Sequence, residues 1–192
     1  MILQIKQAKR FNETALLFAF STVCLVLSII RVFASATPTF LFLNWNLFLA
    51  FIPWALSSLL IIYPKLQEKK LAVITLLVTW LLFFLNAPYI LTDLFHLKHV
   101  VSMPMWFDLL LILSFAWVGL LFGFMSLWDI EKILNRYLIK SRLKGLLRYR
   151  FSVPIFSSVL LSIGSFGIYL GRYLRWNSWD IIAEPFALIY DQ

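Results

Sequence analysis

The residues of this chain that could do chemistry are few, and most are set among oily neighbours. The stretch NAPYILTDLFHL, Asn86–Leu97, carries an amide, a phenol, a carboxylate and an imidazole. On an α-helix advancing about 100° per residue, Asn86, Tyr89, Asp93 and His96 fall within a sector of about 80°. A carboxylate with an imidazole three residues on can share a proton or, given further ligands, a metal ion. Asp108 in WFDLLL is a third ionisable group, and GRYLRWNSWD adds Arg172, Arg175, Asn177 and Asp180. Asn44 and Asn46 lie in NWNLF.

Asp93, His96 and Asp108 are therefore the candidate catalytic or metal-binding residues, with His99 and Asp180 as weaker additions. The signal for an enzyme is thin. There is no HExxH motif and no nucleophile elbow. Nicotinamide, flavin and phosphate-binding glycine loops are absent, and the two histidines, three residues apart, cannot sit on opposite faces of a haem. No cofactor is expected. The plainer reading of such groups is interhelical hydrogen bonding, worth about 0.6–2 kcal/mol per bond in membranes.

The elements that position these residues follow from composition. Of 192 residues, 62% are hydrophobic and 14% charged, against roughly 45–50% and 25% in soluble domains. A hydrocarbon core about 30 Å thick takes about 20 apolar residues as helix. Unbroken apolar runs fit helices and lack the alternation of barrel strands. The expectation is an all-α, polytopic transmembrane bundle in one domain over 1–192. Five spans are expected at about 12–34, 40–62, 71–94, 106–128 and 151–173. The single cysteine, Cys24, lies inside the first run and reads as packing.

The charges lie between the runs. Lys6, Lys9 and Arg10, then Lys65, Lys69 and Lys70, then seven basic residues over 132–150 all fall on one side, a bias of thirteen to four over Arg31, Lys98, Arg172 and Arg175. The positive-inside rule makes that side cytoplasmic, with the N-terminus inside and the C-terminus outside. Between spans four and five, residues 129–150 alternate apolar and basic positions at helical spacing, which predicts an amphipathic helix on anionic lipid. Net charge of +8 is thus accounted for by topology, and nucleic acid is not an expected partner; protein partners are not indicated. A competing reading, a cleaved signal peptide ending at Ala34-Ser35-Ala36, is opposed by the length of the apolar run and by Arg31.

This orientation brings Asn46, Asn86, Tyr89, Asp93, His96, Asp108, Arg172, Arg175, Asn177 and Asp180 to the outer end. Buried charge is costly unless compensated, so Arg172 or Arg175 is expected to pair with Asp93, Asp108 or Asp180. Gly119 and Gly123 form a small-xxx-small motif for close helix approach, and Ser157, Gly164 and Gly171 repeat every seven residues. The function expected is binding of a small polar ligand or lipid headgroup in an outward-facing intramembrane pocket, or a structural role. The alternatives are a metal-dependent or acid–base hydrolase or transferase, and a transporter or transporter subunit, though no inverted repeat is visible.

The successive motifs NLFLAFIPW, NAPYILTDLFHL, WFDLLLILSFAWVGLLFGFMSL and GRYLRWNSWD resemble the bacterial membrane family known as domain of unknown function 1361, over roughly Asn46 to Asp180. The resemblance implies a multi-pass protein of the bacterial cytoplasmic membrane and carries no activity with it. It also implies a further apolar segment after WNSWD, for which the remaining residues to Gln192 are too short.

Overall fold

The computed structural model describes residues 10–99, 103–140, 155, 157–162 and 164–165. Helix α1 spans Phe11–Ser35 and α2 Phe42–Ile62; a 3₁₀ turn, Pro64–Glu68, leads to α3, Lys70–Phe84. One α-helical turn, α4, covers Asn86–Tyr89 and is followed by a 3₁₀ helix, Ile90–His99; α5 runs from Met105 to Lys140. Among the described residues there is no strand. Four segments are long and apolar enough to cross a membrane: Phe11–Ser35, Phe42–Ile62, Lys70–Leu97 and Met105–Leu134. These are the first four expected spans. Most of the fifth, 151–173, lies outside the described residues.

The chain divides into two compact units, Met1–Lys144 and Gly145–Gln192. In the second, the described residues are helical, and the Ser162 and Ser165 hydroxyls each donate to a carbonyl four residues back. All numbered helices belong to the first.

Local sequence explains where each element stops. Helix α1 ends on Ala36, which takes the left-handed conformation at φ 51°, and Pro38 cannot extend a helix. Helix α2 keeps Pro53 in its interior, tolerated because neighbouring helices hold the backbone in place. At its far end Gln67 Nε2 donates to the Leu60 carbonyl at 2.7 Å, satisfying an acceptor that the helix leaves open. Helix α5 starts just after Pro104 and carries Asp108 in its first turn, where the helix dipole favours an acid.

The third span departs from its expected form. A continuous α-helix over 71–94 is replaced by a break at Leu85, one α turn and ten residues of 3₁₀ helix. Pro88 lacks the amide that would continue the ladder, and the Asn86 side chain donates to the Phe83 carbonyl at 3.1 Å. The tighter helix has three residues per turn, so Ile90, Asp93 and His96 align. The stripe through Asn86 and Tyr89 expected from α-helical geometry is therefore broken, and Asn86 serves the bend. Residues 129–140 likewise continue α5 without starting a separate interfacial helix; 141–150 lie outside the described residues.

Helix α5 is central and packs against α1, α2, α4 and the 3₁₀ helix. Leu43, Ala50, Ile90, Ile112 and Phe115 are among the buried core residues. Gly119 and Gly123 receive the bend of the third span: a Cβ at Gly119 would lie 2.7 Å from Ile90 Cδ1 and 3.1 Å from the Ala87 carbonyl oxygen, and one at Gly123 2.9 Å from Ala87 Cβ. The small-xxx-small motif thus works as expected, with a bent turn as its partner.

Candidate functional site

At the end of the bundle where α1 finishes and α5 begins, Arg31 and Asp108 form a buried ion pair, each about 1% exposed. Arg31 Nε lies 3.0 Å from Asp108 Oδ1 and Nη2 3.3 Å from Oδ2, a two-pronged contact matched to the carboxylate. The third nitrogen, Nη1, donates to Ser35 Oγ at 3.0 Å and Thr37 Oγ1 at 2.7 Å. The guanidinium also lies over the Phe40 ring, 4.8 Å from its centroid. The loop between α1 and α2 is thereby folded around one cation.

That loop links the pair to a second polar group. Phe40 meets Phe42, whose ring lies 5.3 Å from His96. His96 Nδ1 is 3.8 Å from Asp93 Oδ1, and Asn46 Nδ2 donates to Asp93 Oδ2 at 2.8 Å. Asp93 is 1% exposed, whereas the His96 side chain is 46% exposed. Two residues earlier on α2, Asn44 Nδ2 donates to Ser28 Oγ at 2.9 Å, tying α2 to α1.

Of the candidates read from sequence, the structure joins Asn46, Asp93 and His96 directly and sets Asp108 against Arg31. Asn86 turns back to its own chain. The backbone of Tyr89 belongs to the bend, accepting the Thr92 hydroxyl. Arg172, Arg175, Asn177 and Asp180, and with them the expected ion pairs of the two arginines, lie outside the described residues. Among the described residues no group of three or more His, Cys, Asp or Glu could hold a metal ion; Asp93 and His96 make a pair, and Asp108 directs both oxygens at Arg31.

Sequence reasoning counted Arg31 as a charge on the outer side and as an obstacle to signal cleavage, and gave it no partner. The missed signal was spacing. Arg10, Leu17, Cys24 and Arg31 are all buried and lie seven residues apart, as do Asp108, Phe115, Phe122 and Asp129 on α5. A seven-residue repeat keeps one seam facing a partner helix. At the other end of that seam Arg10 Nη1 bonds Asp129 Oδ2, and the Ser57 hydroxyl lies 3.1 Å from the same oxygen. Lys132 Nζ is 3.8 Å from Asp129 Oδ1, and Glu13 is 3.7 Å from Arg10 Nη2. Arg10 also lies over Trp54, which packs on Phe51 and Phe122.

Apolar helices outside, with carboxylates, amides and cations paired between them, define an α-helical membrane protein whose polar groups face its own interior. Within that class the assignment is specific: the sequence model of the family described as Protein of unknown function (DUF1361) matches residues 45–192, and the chain belongs to that family. The match includes Asn46, Asp93, His96, Asp108 and Asp129 and begins after both arginines of the seam. Neither a curated protein nor a solved structure matches the chain.

Proposed function

We propose that the chain is a single integral domain of a bacterial cytoplasmic membrane, with the Arg31–Asp108 end facing outward, and that Asp93, Asn46 and His96 receive a small polar ligand or lipid headgroup there. The observation that carries this reading is the contrast between a buried carboxylate, fixed by the Asn46 amide, and the half-exposed imidazole beside it. A hydrogen-bonding ligand meets the half-exposed imidazole first, with the Asp93 carboxylate behind it already fixed by Asn46. Charge bias supports the orientation, since the Arg10 end carries most basic residues. In this reading Asp108 and Asn86 hold the site in shape and Tyr89 flanks it. At the Arg10 end the half-exposed Lys132 is the described cation that would meet anionic lipid of the inner leaflet.

Native mass spectrometry of the full chain, loaded with short-chain phosphatidylethanolamine or phosphatidylglycerol, tests the reading. Adducts retained by the unsubstituted protein should weaken at least about tenfold, a loss of about 1.4 kcal/mol, in Asp93→Asn and in Asn46→Leu. Equal retention in Asp93→Asn would refute it. An acid–base enzyme would use the same Asp93–His96 pair, and His96→Ala would then bind as before while turnover stopped.

A further inference from the structure

The two ends of the α1–α5 seam are built on one spacing. Arg10 and Arg31 are twenty-one residues apart, and so are their partners Asp129 and Asp108. At about 1.5 Å per residue each interval measures about 31 Å, close to the roughly 30 Å of a bilayer's hydrocarbon core. Trp106 and Trp128, both well exposed on α5 and twenty-two residues apart, mark the same interval from the lipid side. Between these levels α1 exposes Phe18, Val23, Val26, Ile29 and Ile30. Half-exposed Glu13 and Lys132 adjoin one pair, and the hydroxyl-rich Ser35–Thr39 turn adjoins the other.

We propose that the two Arg–Asp pairs act together as a thickness gauge, locking α1 and α5 in one register so that the bundle fits a hydrocarbon core of about 30 Å and resists adjusting to another. The pairs lie on a single seven-residue seam, so sliding α1 by one repeat would break both at once. It would leave Asp108 opposite Cys24 or Asp129 opposite Leu17. Rotation is also blocked, because Arg31 grips both carboxylate oxygens and its own loop. An ordinary helix pair answers a thicker or thinner bilayer by tilting or shifting. Here those movements are coupled to separating buried charges, and the cost of mismatch falls on the bilayer and on overall stability. This gauge does not depend on the ligand site.

The test uses the full chain in vesicles of dimyristoleoyl, dioleoyl and dierucoyl phosphatidylcholine. The thermal unfolding midpoint should be highest in dioleoyl lipid and fall by several degrees in both of the others. Apolar replacement of either pair, Arg31→Met with Asp108→Leu or Arg10→Met with Asp129→Leu, should flatten that profile. A level profile for the unsubstituted chain, or equally sharp profiles for the replaced pairs, would overturn the proposal. A second measurement leaves both pairs intact: spin labels at Phe18→Cys and Phe124→Cys in a Cys24→Ala background. Their separation should be the same in all three lipids, and a change of one helical turn would overturn the proposal as surely.

Discussion

The Arg31–Asp108 and Arg10–Asp129 ends use the same two residue types on the same two helices, yet they are differently equipped. Asp129 is surrounded by donors: Arg10, the Ser57 hydroxyl and, on the exposed side, Lys132. Asp108 relies on one guanidinium, and that guanidinium is itself shared with Ser35, Thr37 and Phe40. A second buried acid, Asp93, stands on the Arg31 side and is held by an amide and an imidazole. One end is thus a self-contained cluster that ties helices together, and the other combines a similar tie with a group of different chemistry. Repetition of the Arg–Asp pair ties helix to helix; the departure from it, at Asp93, is where the proposed ligand site lies.

The sharpest way to break this comparison is to remove one charge at each end. Leaving a buried ion without its partner costs about 3–5 kcal/mol, and Arg31→Ala should approach that figure, because Asp108 then faces core residues with its principal donor gone. Arg10→Ala should cost less, about 1–3 kcal/mol, since Ser57 and Lys132 still attend Asp129. Reversible unfolding in detergent reads both. Equal losses would mean that the extra donors at the Arg10 end contribute nothing. Replacing each pair whole by apolar residues should recover most of the stability, as is often found for buried ion pairs.

The next largest effect lies where the third span bends. Gly119→Ala places a methyl 2.7 Å from Ile90 Cδ1 and 3.1 Å from the Ala87 carbonyl. Ile90 can yield, but the backbone oxygen cannot without moving the bend, so a loss of about 1–3 kcal/mol is expected. Because Ile90 opens the 3₁₀ helix that carries Asp93 and His96, this substitution should also weaken ligand retention. A substitution at the Arg10 end of matching cost, such as Arg10→Ala, should leave retention intact. That pairing separates general destabilisation from damage to the Asp93 group.

Much of this was legible in the sequence. Four apolar runs gave four spans because lipid leaves the backbone few choices, and the convergence of Asn46, Asp93 and His96 followed from the level each reaches on its span. Two things were not legible. Helical periodicity assumed 3.6 residues per turn across Asn86–Leu97, whereas Pro88 set off a tighter helix whose persistence depends on packing against Gly119 and Gly123. Arg31 was hidden by arithmetic of another kind: counting charges by side records a cation's level, while its partner is found only by asking which residues repeat every seven along two helices. Arg10 and Arg31 answer to Asp129 and Asp108 in that repeat, and net charge contains no trace of it.

The smallest expected effect tests how the Arg31 end is wrapped. Ala36 holds a left-handed backbone at φ 51°, a conformation that costs a residue with a Cβ about 1 kcal/mol. It persists because the turn delivers Ser35 Oγ and Thr37 Oγ1 to Arg31 Nη1, and Pro38 stiffens the exit. Ala36→Gly relieves the strain but also frees the unfolded chain, two opposing terms of similar size. If the wrapped guanidinium already fixes the loop, the strain term dominates and the midpoint should rise by a degree or two, about 0.5 kcal/mol. The same substitution combined with Arg31→Met and Asp108→Leu should lose that gain, because nothing then holds the hydroxyls in place. A gain that persists without the cation would show that the loop, and not Arg31, organises this end of the molecule.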